Sequence, residues 1–397
     1  MSARPIRLAA VYADSALRPW FDALRSSVPE LRLFDAHTHT GAHDPDGFTC
    51  SVYELTEALE LADARGVQFS MHEPDGYPPA NDRVMAEAAA SGDRLVPFCR
   101  LDPGREPVAE AERCLAAGAR GLKLHPRAEG FSLADPSVEP IFALAHERRL
   151  PVLIHAGRGI PALGRHVLGL AERYPHARPI LAHAGICDLA WIWRRLDDHP
   201  NVFFDTAWWF PVDLLSLFAL VPPGRILWAS DAPYGTPVQS AVLALRCALE
   251  AGLTPEQVGS VAGGQLERLL AGDDPLEVGP APGAEAMASD LLLDRVHAAL
   301  INAHGRIMGG EDGDAGIALA RLACEVGEEA PQAPVCRSVL ALLDRFERHA
   351  AATSDANAPG NLPGARFPSL HLLIVAAGVA RTPNVSLPPE PELVAAG

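Results

Sequence analysis

Two histidines one residue apart, His37 and His39, close the run Leu33-Phe34-Asp35-Ala36-His37-Thr38-His39. On a β-strand, alternate side chains point to the same face. Both imidazoles therefore leave this strand in one direction, as two ligands of one metal ion must. A His-x-His pair is common, and by itself it says little. Its meaning depends on whether other segments bring ligands to the same place. Four more apolar runs end in residues of suitable chemistry. Gly121-Leu122-Lys123-Leu124-His125-Pro126 puts Lys123 and His125 on one strand face. Pro151-Val152-Leu153-Ile154 ends in His155, Ile180-Leu181-Ala182 in His183, and Ile226-Leu227-Trp228-Ala229-Ser230 in Asp231. Single histidines at strand ends are usually just satisfied polar residues. Five ends carrying His, Lys or Asp together indicate a metal site. Imidazole and carboxylate ligands without thiolate suit zinc, with manganese, iron, cobalt or nickel as alternatives.

Lys123 carries a second signal. The chain has 33 basic residues, and Lys123 is its only lysine. One reading is the chance survival of a surface lysine. The other is a task that arginine cannot perform. A buried lysine can lose its proton, and its amine can act as a base or be carbamylated, whereas a guanidinium stays charged. The place of Lys123 among the strand ends favours the functional reading.

These residues need a scaffold that presents strand ends side by side. Short apolar runs recur at 31–36, 67–71, 95–99, 121–124, 152–154, 179–182, 202–204 and 226–229. Stretches of helical periodicity lie between them at 53–64, 79–91, 106–117, 137–148, 162–173, 187–198 and 211–220, followed by 238–250 and 255–271. Continuous apolar strands that alternate with helices read as a parallel sheet covered on both faces. Eight such units predict a TIM (β/α)8 barrel, whose active site lies at the C-terminal ends of its strands. A doubly wound sheet would carry a glycine-rich phosphate loop after its first strand, where this chain has His-Thr-His. The expected organisation is a lead-in over 1–30 with a short helix near 17–24, the barrel over 31–272, a Pro/Gly/Ala-rich linker over 273–288, and a mainly helical segment over 289–397 whose role is unknown. Within that last segment, 370–380 reads as helix or strand. It can pack on the barrel or on a partner subunit, and a homo-oligomer is compatible with it.

Composition narrows the partners. The net charge of −17 repels phosphate backbones and anionic membranes, so neither nucleic acid nor membrane is expected and the partner is a small-molecule substrate. With 48% hydrophobic residues, the 397-residue chain can fill a large core. Its seven cysteines are scattered, without a C-x-x-C pair, which suits a reduced cytoplasmic protein with most of them buried. No secretory leader is expected at the N-terminus. Among the other histidines, His43 and His72 fall near the strand ends, while His146, His166, His176 and His199 fall on helices or their ends and read as solvated. The four in the C-terminal segment show no register with the strands.

The motifs Asp35-Ala36-His37-Thr38-His39, Gly121-Leu122-Lys123-Leu124-His125-Pro126, Pro151-Val152-Leu153-Ile154-His155-Ala156-Gly157, Leu181-Ala182-His183-Ala184-Gly185 and Ser230-Asp231-Ala232-Pro233 resemble the amidohydrolase superfamily, in its amidohydrolase 2 branch of metal-dependent hydrolases and related decarboxylases. The resemblance covers about 31–271. It implies that His37, His39, His155 and Asp231 hold the principal divalent metal, most simply zinc, with one or two ions per chain. It implies that His183 binds a second metal or assists the reacting water. In two-metal members a lysine like Lys123 is carbamylated and bridges the ions.

The expected chemistry follows. Asp231 accepts a proton from water and passes it to the leaving group. His183 orients the water or stabilises developing negative charge. Lys123, if not carbamylated, is a cation that can hold a carboxylate. His125, Arg127 and Arg158 follow the fourth and fifth strands and are candidates to bind substrate. Trp208, Trp209 and Phe210 form an apolar wall or pack the barrel top, and Asp205 can hydrogen-bond a ligand from behind. The expected activity is hydrolysis of an amide, ester or lactone of a small molecule. Non-oxidative decarboxylation on the same scaffold is the first alternative, and a non-catalytic binding or assembly protein the second.

Overall fold

The computed structural model describes residues 12–353 and 369–389, apart from Arg158. Eight parallel strands stand in sequential order: β1 (Leu33–Thr40), β2 (Ala64–Ser70), β3 (Leu95–Arg100), β4 (Gly121–Leu124), β5 (Pro151–Ile154), β6 (Arg178–Leu181), β7 (Phe203–Asp205) and β8 (Ile226–Leu227). The ring closes where the chain beyond β8 meets β1. Ala36 donates to the Trp228 carbonyl at 3.0 Å, Asp231 to the His37 carbonyl at 2.9 Å and His39 to the Ala232 carbonyl at 2.8 Å. The result is the expected (β/α)8 barrel.

Alternation on each strand divides the side chains between two cores. Phe34, Val67, Phe69, Phe98, Leu153, Ile180, Phe203 and Leu227 fill the barrel interior, and Leu266 and Leu269 of the helix Gln265–Ala271 plug its floor. Neighbours on the same strands, such as Leu122, Val152, Ile154, Leu181 and Phe204, face the surrounding helices. Gly121 shows how tight the interior is: a Cβ there would lie 2.5 Å from the Phe98 ring, so no other residue fits. The helices Val52–Leu61, Pro78–Ala90, Pro107–Ala116, Glu139–Arg148, Leu163–Arg173, Pro211–Leu220 and Pro237–Glu250 form the outer ring. The predicted helix at 187–198 is instead two short turns, Leu189–Ile192 and Trp193–Arg195.

Segments flanking the barrel pack onto one quarter of it. The N-terminal helix Asp14–Ser27 buries Leu17, Trp20, Phe21 and Leu24. Residues 273–288 run beneath the barrel, pinned by Arg178 and Arg149 to the Gly272 carbonyl and by Gln265 to the Leu276 amide. Four helices follow, Leu291–Met308, Asp314–Ala323, Ala333–Thr353 and Leu370–Arg381. The last is buried from Leu370 to Ala380 and lies against Pro237–Glu250 and Pro211–Leu220. A helix buried all round needs apolar residues all round, so the run 370–380 carries no amphipathic signature and its helix and strand readings could not be separated by period. Arg246 is buried within this quarter. It donates to Thr382 Oγ1 at 3.1 Å, to the Thr382 carbonyl at 2.9 Å and to the Ser386 carbonyl at 2.8 Å. No helix among the described residues is long and apolar enough to cross a membrane.

Asp14 offers a measurable handle on this packing. It is buried and accepts the Thr236 hydroxyl at 2.7 Å. Burial pushes its carboxyl up to about 6, against the opposing pull of that hydrogen bond. The folded chain therefore keeps a proton that the unfolded chain sheds near pH 4, and stability falls as pH rises from about 4 to about 6, by roughly 3 kcal/mol. Asp14→Asn keeps the acceptor oxygen and removes the ionisation. Denaturation at pH 4 and at pH 7 should show the variant gaining on the wild type by about that amount at the higher pH. An unchanged difference would deny the raised carboxyl.

Candidate functional site

β1 delivers its two histidines through an irregularity. Asp35 pairs with Gly66 and Thr38 with Gln68, so β1 holds one residue more than β2 over this span. A bulge of this kind re-aims the side chains that follow it. Phe34 and Ala36 face the barrel interior, and so do His37 and His39, whose rings lie 5.3 and 4.4 Å from Phe69. Without the extra residue the imidazoles would point into the outer helices. Asp35 holds the bulge: its Oδ1 accepts the amides of His37 and Ser230, each at 3.0 Å, which also ties β1 to the chain after β8.

Asp231 and His183 reach the same space by unusual backbone. Both have left-handed φ, 61° for Asp231 and 59° for His183, and Ala184 follows at 56°. Each costs about 1–2 kcal/mol in a residue with a Cβ. The chain turns sharply out of β6 and β8 and swings these side chains over the barrel mouth. Asp205 at the end of β7 then secures two ligand candidates. Its Oδ2 accepts from His37 Nδ1 at 2.8 Å, and its Oδ1 accepts the His183 amide at 2.8 Å and the Ala207 amide at 3.0 Å.

These bonds fix tautomers. With Nδ1–H committed to Asp205, His37 Nε2 is a bare lone pair. With Nδ1 donating to the Ala207 carbonyl at 2.8 Å, His183 Nε2 is bare too. His37 Nε2 nevertheless faces Asp231 Oδ1 at 3.1 Å, and His39 Nε2 lies 3.0 Å from that same oxygen. His183 Nε2 faces His155 Nδ1 at 2.9 Å. His37 Nε2 and an ionised Asp231 Oδ1 are both acceptors, and acceptors this close call for positive charge between them. His37, His39 and Asp231 offer ligand atoms within 4.8 Å of one another. Burial holds the imidazoles of His37, His39 and His155 well below their ordinary range, neutral as metal ligands must be. Burial pushes the Asp231 carboxyl well above its range, opposed by Lys123, so an ionised Asp231 requires a cation nearby. The donor set fits a divalent metal.

Lys123 is fully buried, with Nζ 3.3 Å from His37 Nε2 and 4.7 Å from the Phe69 ring centroid. Burial, then Arg100, brings its ammonium down to about 7, against the pull of Asp231 and Asp205. His125 stacks on His155 at 3.8 Å between centroids and 11° between planes. Its Nδ1 accepts the Ala128 amide at 3.1 Å, so Nε2 carries the proton. Gly157 follows because a Cβ there would sit 2.6 Å from His155 Nε2.

His37, His39, His125, Arg127, His155, His183 and Asp231 line a cleft of about 440 Å³ together with Asp44, Arg100 and Tyr234, whereas the fully buried Lys123 lies behind its surface. Arg158 lies outside the described residues. Arg100 was not singled out from the sequence. It ends β3, is buried, and is held by Glu129 at 2.7 Å and the Ser70 carbonyl at 3.1 Å. The signal was available, since Arg100 ends an apolar run as Lys123 nearly does. Of the residues after β7, Trp209 and Phe210 pack on His304 of the C-terminal helices, which corresponds to the packing alternative. His199 is not solvated: it is buried, bonded to the Arg195 carbonyl at 2.6 Å and Glu172 at 2.9 Å. The turn at 193–195 in place of a full helix folds it inward.

The amidohydrolase family model matches residues 34–269, more than half of the chain. Among solved structures, an uncharacterised TIM-barrel protein from Bordetella bronchiseptica is 17% identical at a TM-score of 0.51, covering 61% of this chain and 99% of the other. 5-Carboxyvanillate decarboxylase from Sphingomonas paucimobilis is 16% identical at a TM-score of 0.50, with 61% and 99% covered. At such identities these two show the barrel fold and nothing finer. No curated protein matches the chain. Since the match begins on the strand that carries His37 and ends on the helix that plugs the barrel floor, the chain belongs to the amidohydrolase family of metal-dependent enzymes.

Proposed function

We propose that the chain is a metal-dependent hydrolase that attacks an amide, ester or lactone of a small carboxylated molecule. The observation that carries this reading is the shared Asp231 oxygen, 3.1 and 3.0 Å from two imidazole nitrogens at the mouth of the barrel. His37, His39 and Asp231 would hold a divalent ion, most simply zinc, with His155 and His183 close by. Lys123, if carbamylated, would supply an anionic ligand beside His37. When bound, the metal polarises a substrate oxygen and acidifies water.

The remaining work falls to the chain. Asp231, with its raised carboxyl, is suited to take a proton from water and return it to the leaving group. His183 is oriented by Asp205 and Ala207 and can steady the attacking water. His125, with its proton on Nε2, can donate to a developing oxyanion without changing charge. Arg127 is exposed at the edge of the cleft, where it can pair with a substrate carboxylate.

Arg127 also favours a second reading. A carboxylate drawn against it could itself be the group that leaves, and a protonated Asp231 would supply the proton that replaces carbon dioxide. A neighbour of the same fold is a decarboxylase. Product analysis separates the two: carbon dioxide released with no hydrolysis product would displace the hydrolase.

His37→Ala or His155→Ala should lose metal and activity together, read as metal per chain by emission spectroscopy. Asp231→Asn, assayed at saturating metal, should stay loaded while turnover drops by about 10²–10⁴-fold; unimpaired turnover would remove Asp231 from proton transfer. Arg127→Ala should raise KM for a carboxylated substrate with little change in kcat, the mark of an interaction made equally in ground and transition states.

A further inference from the structure

The loop that presents Asp231 is anchored by residues outside the family match. The Tyr12 hydroxyl donates to the Pro233 carbonyl at 3.1 Å. The Tyr12 ring stacks on His371 at 4.2 Å and 10°, and both side chains are buried. His371 stands in the first turn of the helix Leu370–Arg381. Thr236 closes the loop and gives its hydroxyl to Asp14 at 2.7 Å. Two groups of the loop thus take partners from positions 12 and 14, the first backed by His371, whereas the family match spans only 34–269.

The opposite edge of the loop is tied to β1 by the Asp231 and His39 amides, at 2.9 and 2.8 Å. Between these two anchorages sits Asp231 in left-handed backbone. Such a conformation persists only where its surroundings over-determine it. A loop fastened along β1 alone could pivot about that edge, and its carboxylate would swing relative to His37 and His39. A second fastening on the far side removes the pivot. Tyr234 adds to the effect from within the loop: its hydroxyl bonds Asp44 at 2.5 Å and its ring meets His39 edge-on at 5.5 Å.

We propose that Tyr12, backed by His371, is a positioning residue for Asp231, so that the barrel's metal site is completed by the N-terminal helix region and the C-terminal helical layer. This rests on reading Asp231 as a metal ligand. In that case Tyr12 acts on the metal through Pro233 and the loop, without touching cleft or ligand.

The test is zinc affinity of the metal-stripped full-length protein, measured by competition with a chromogenic chelator, alongside its melting temperature. Tyr12→Phe keeps the ring and its stack and removes only the hydroxyl. It should weaken zinc binding about tenfold or more, in the range seen when partners behind metal ligands are removed. Thr236→Val should weaken it in the same direction through the Asp14 contact, and it serves if Tyr12→Phe folds poorly. Variants that melt lower yet bind zinc as tightly as the wild type would make Tyr12 merely structural and overturn the proposal. A wild type that binds zinc no better than His37→Ala would instead overturn the metal site, and the positioning role with it.

Discussion

The site depends on one buried carboxylate set among neutral imidazoles. Asp231 has its side chain only 18% exposed, with one oxygen in contact with two histidine nitrogens. Taking such a carboxylate out of water costs several kcal/mol unless positive charge compensates. Each nearby histidine that could supply a proton is held neutral by burial. Lys123 is the one nearby amine, and it is itself driven toward neutrality. The cleft therefore sets its most costly group among three ligand atoms that a divalent cation would fit. Affinity for a divalent ion and instability of the empty site are two aspects of the same burial.

Asp205 makes that arrangement specific. It is a fully buried carboxylate that accepts from His37 Nδ1 and from two backbone amides. By fixing the proton on one face of His37 it leaves the other face bare. By holding the His183 amide it stabilises a left-handed turn that β6 would not otherwise make. One side chain thus sets both a tautomer and a backbone conformation, and each contributes a lone pair to the same space. A neutral replacement of the same shape could hold the backbone, but would orient the imidazole less firmly.

Much of this was legible from residue order, and the part that was not has identifiable causes. Eight apolar runs interleaved with helical periods gave the barrel, because interior and exterior faces of every strand must both be apolar. The rim residues were legible because strand ends in such a barrel converge. The geometry by which they converge was not. Simple alternation from Phe34 would turn His37 outward, and only the extra residue in β1 restores it. His183 and Asp231 need left-handed backbone that carries no glycine to announce it. Arg100 was legible as the end of an apolar run and was passed over, because an arginine there looks like any strand terminus. His199 was misjudged because a helix expected at 187–198 shortens into turns.

The C-terminal layer was the least legible part, and the reason bears on how the enzyme is built. Helix Leu370–Arg381 is buried on every side, so its sequence carries no polar face to report its orientation. Its neighbours are the helices that follow β7 and β8 and the aromatic residues above them. Those two strands lead to Asp205 and Asp231, the two carboxylates that contact the His37 imidazole. The added layer is thus placed beside a strained loop and where the intrinsic barrel is thinnest, since β7 and β8 are its shortest strands, with three and two residues. Short strands offer few ladder hydrogen bonds to hold a strained loop in place. Packing from outside can supply the rigidity that those strands lack.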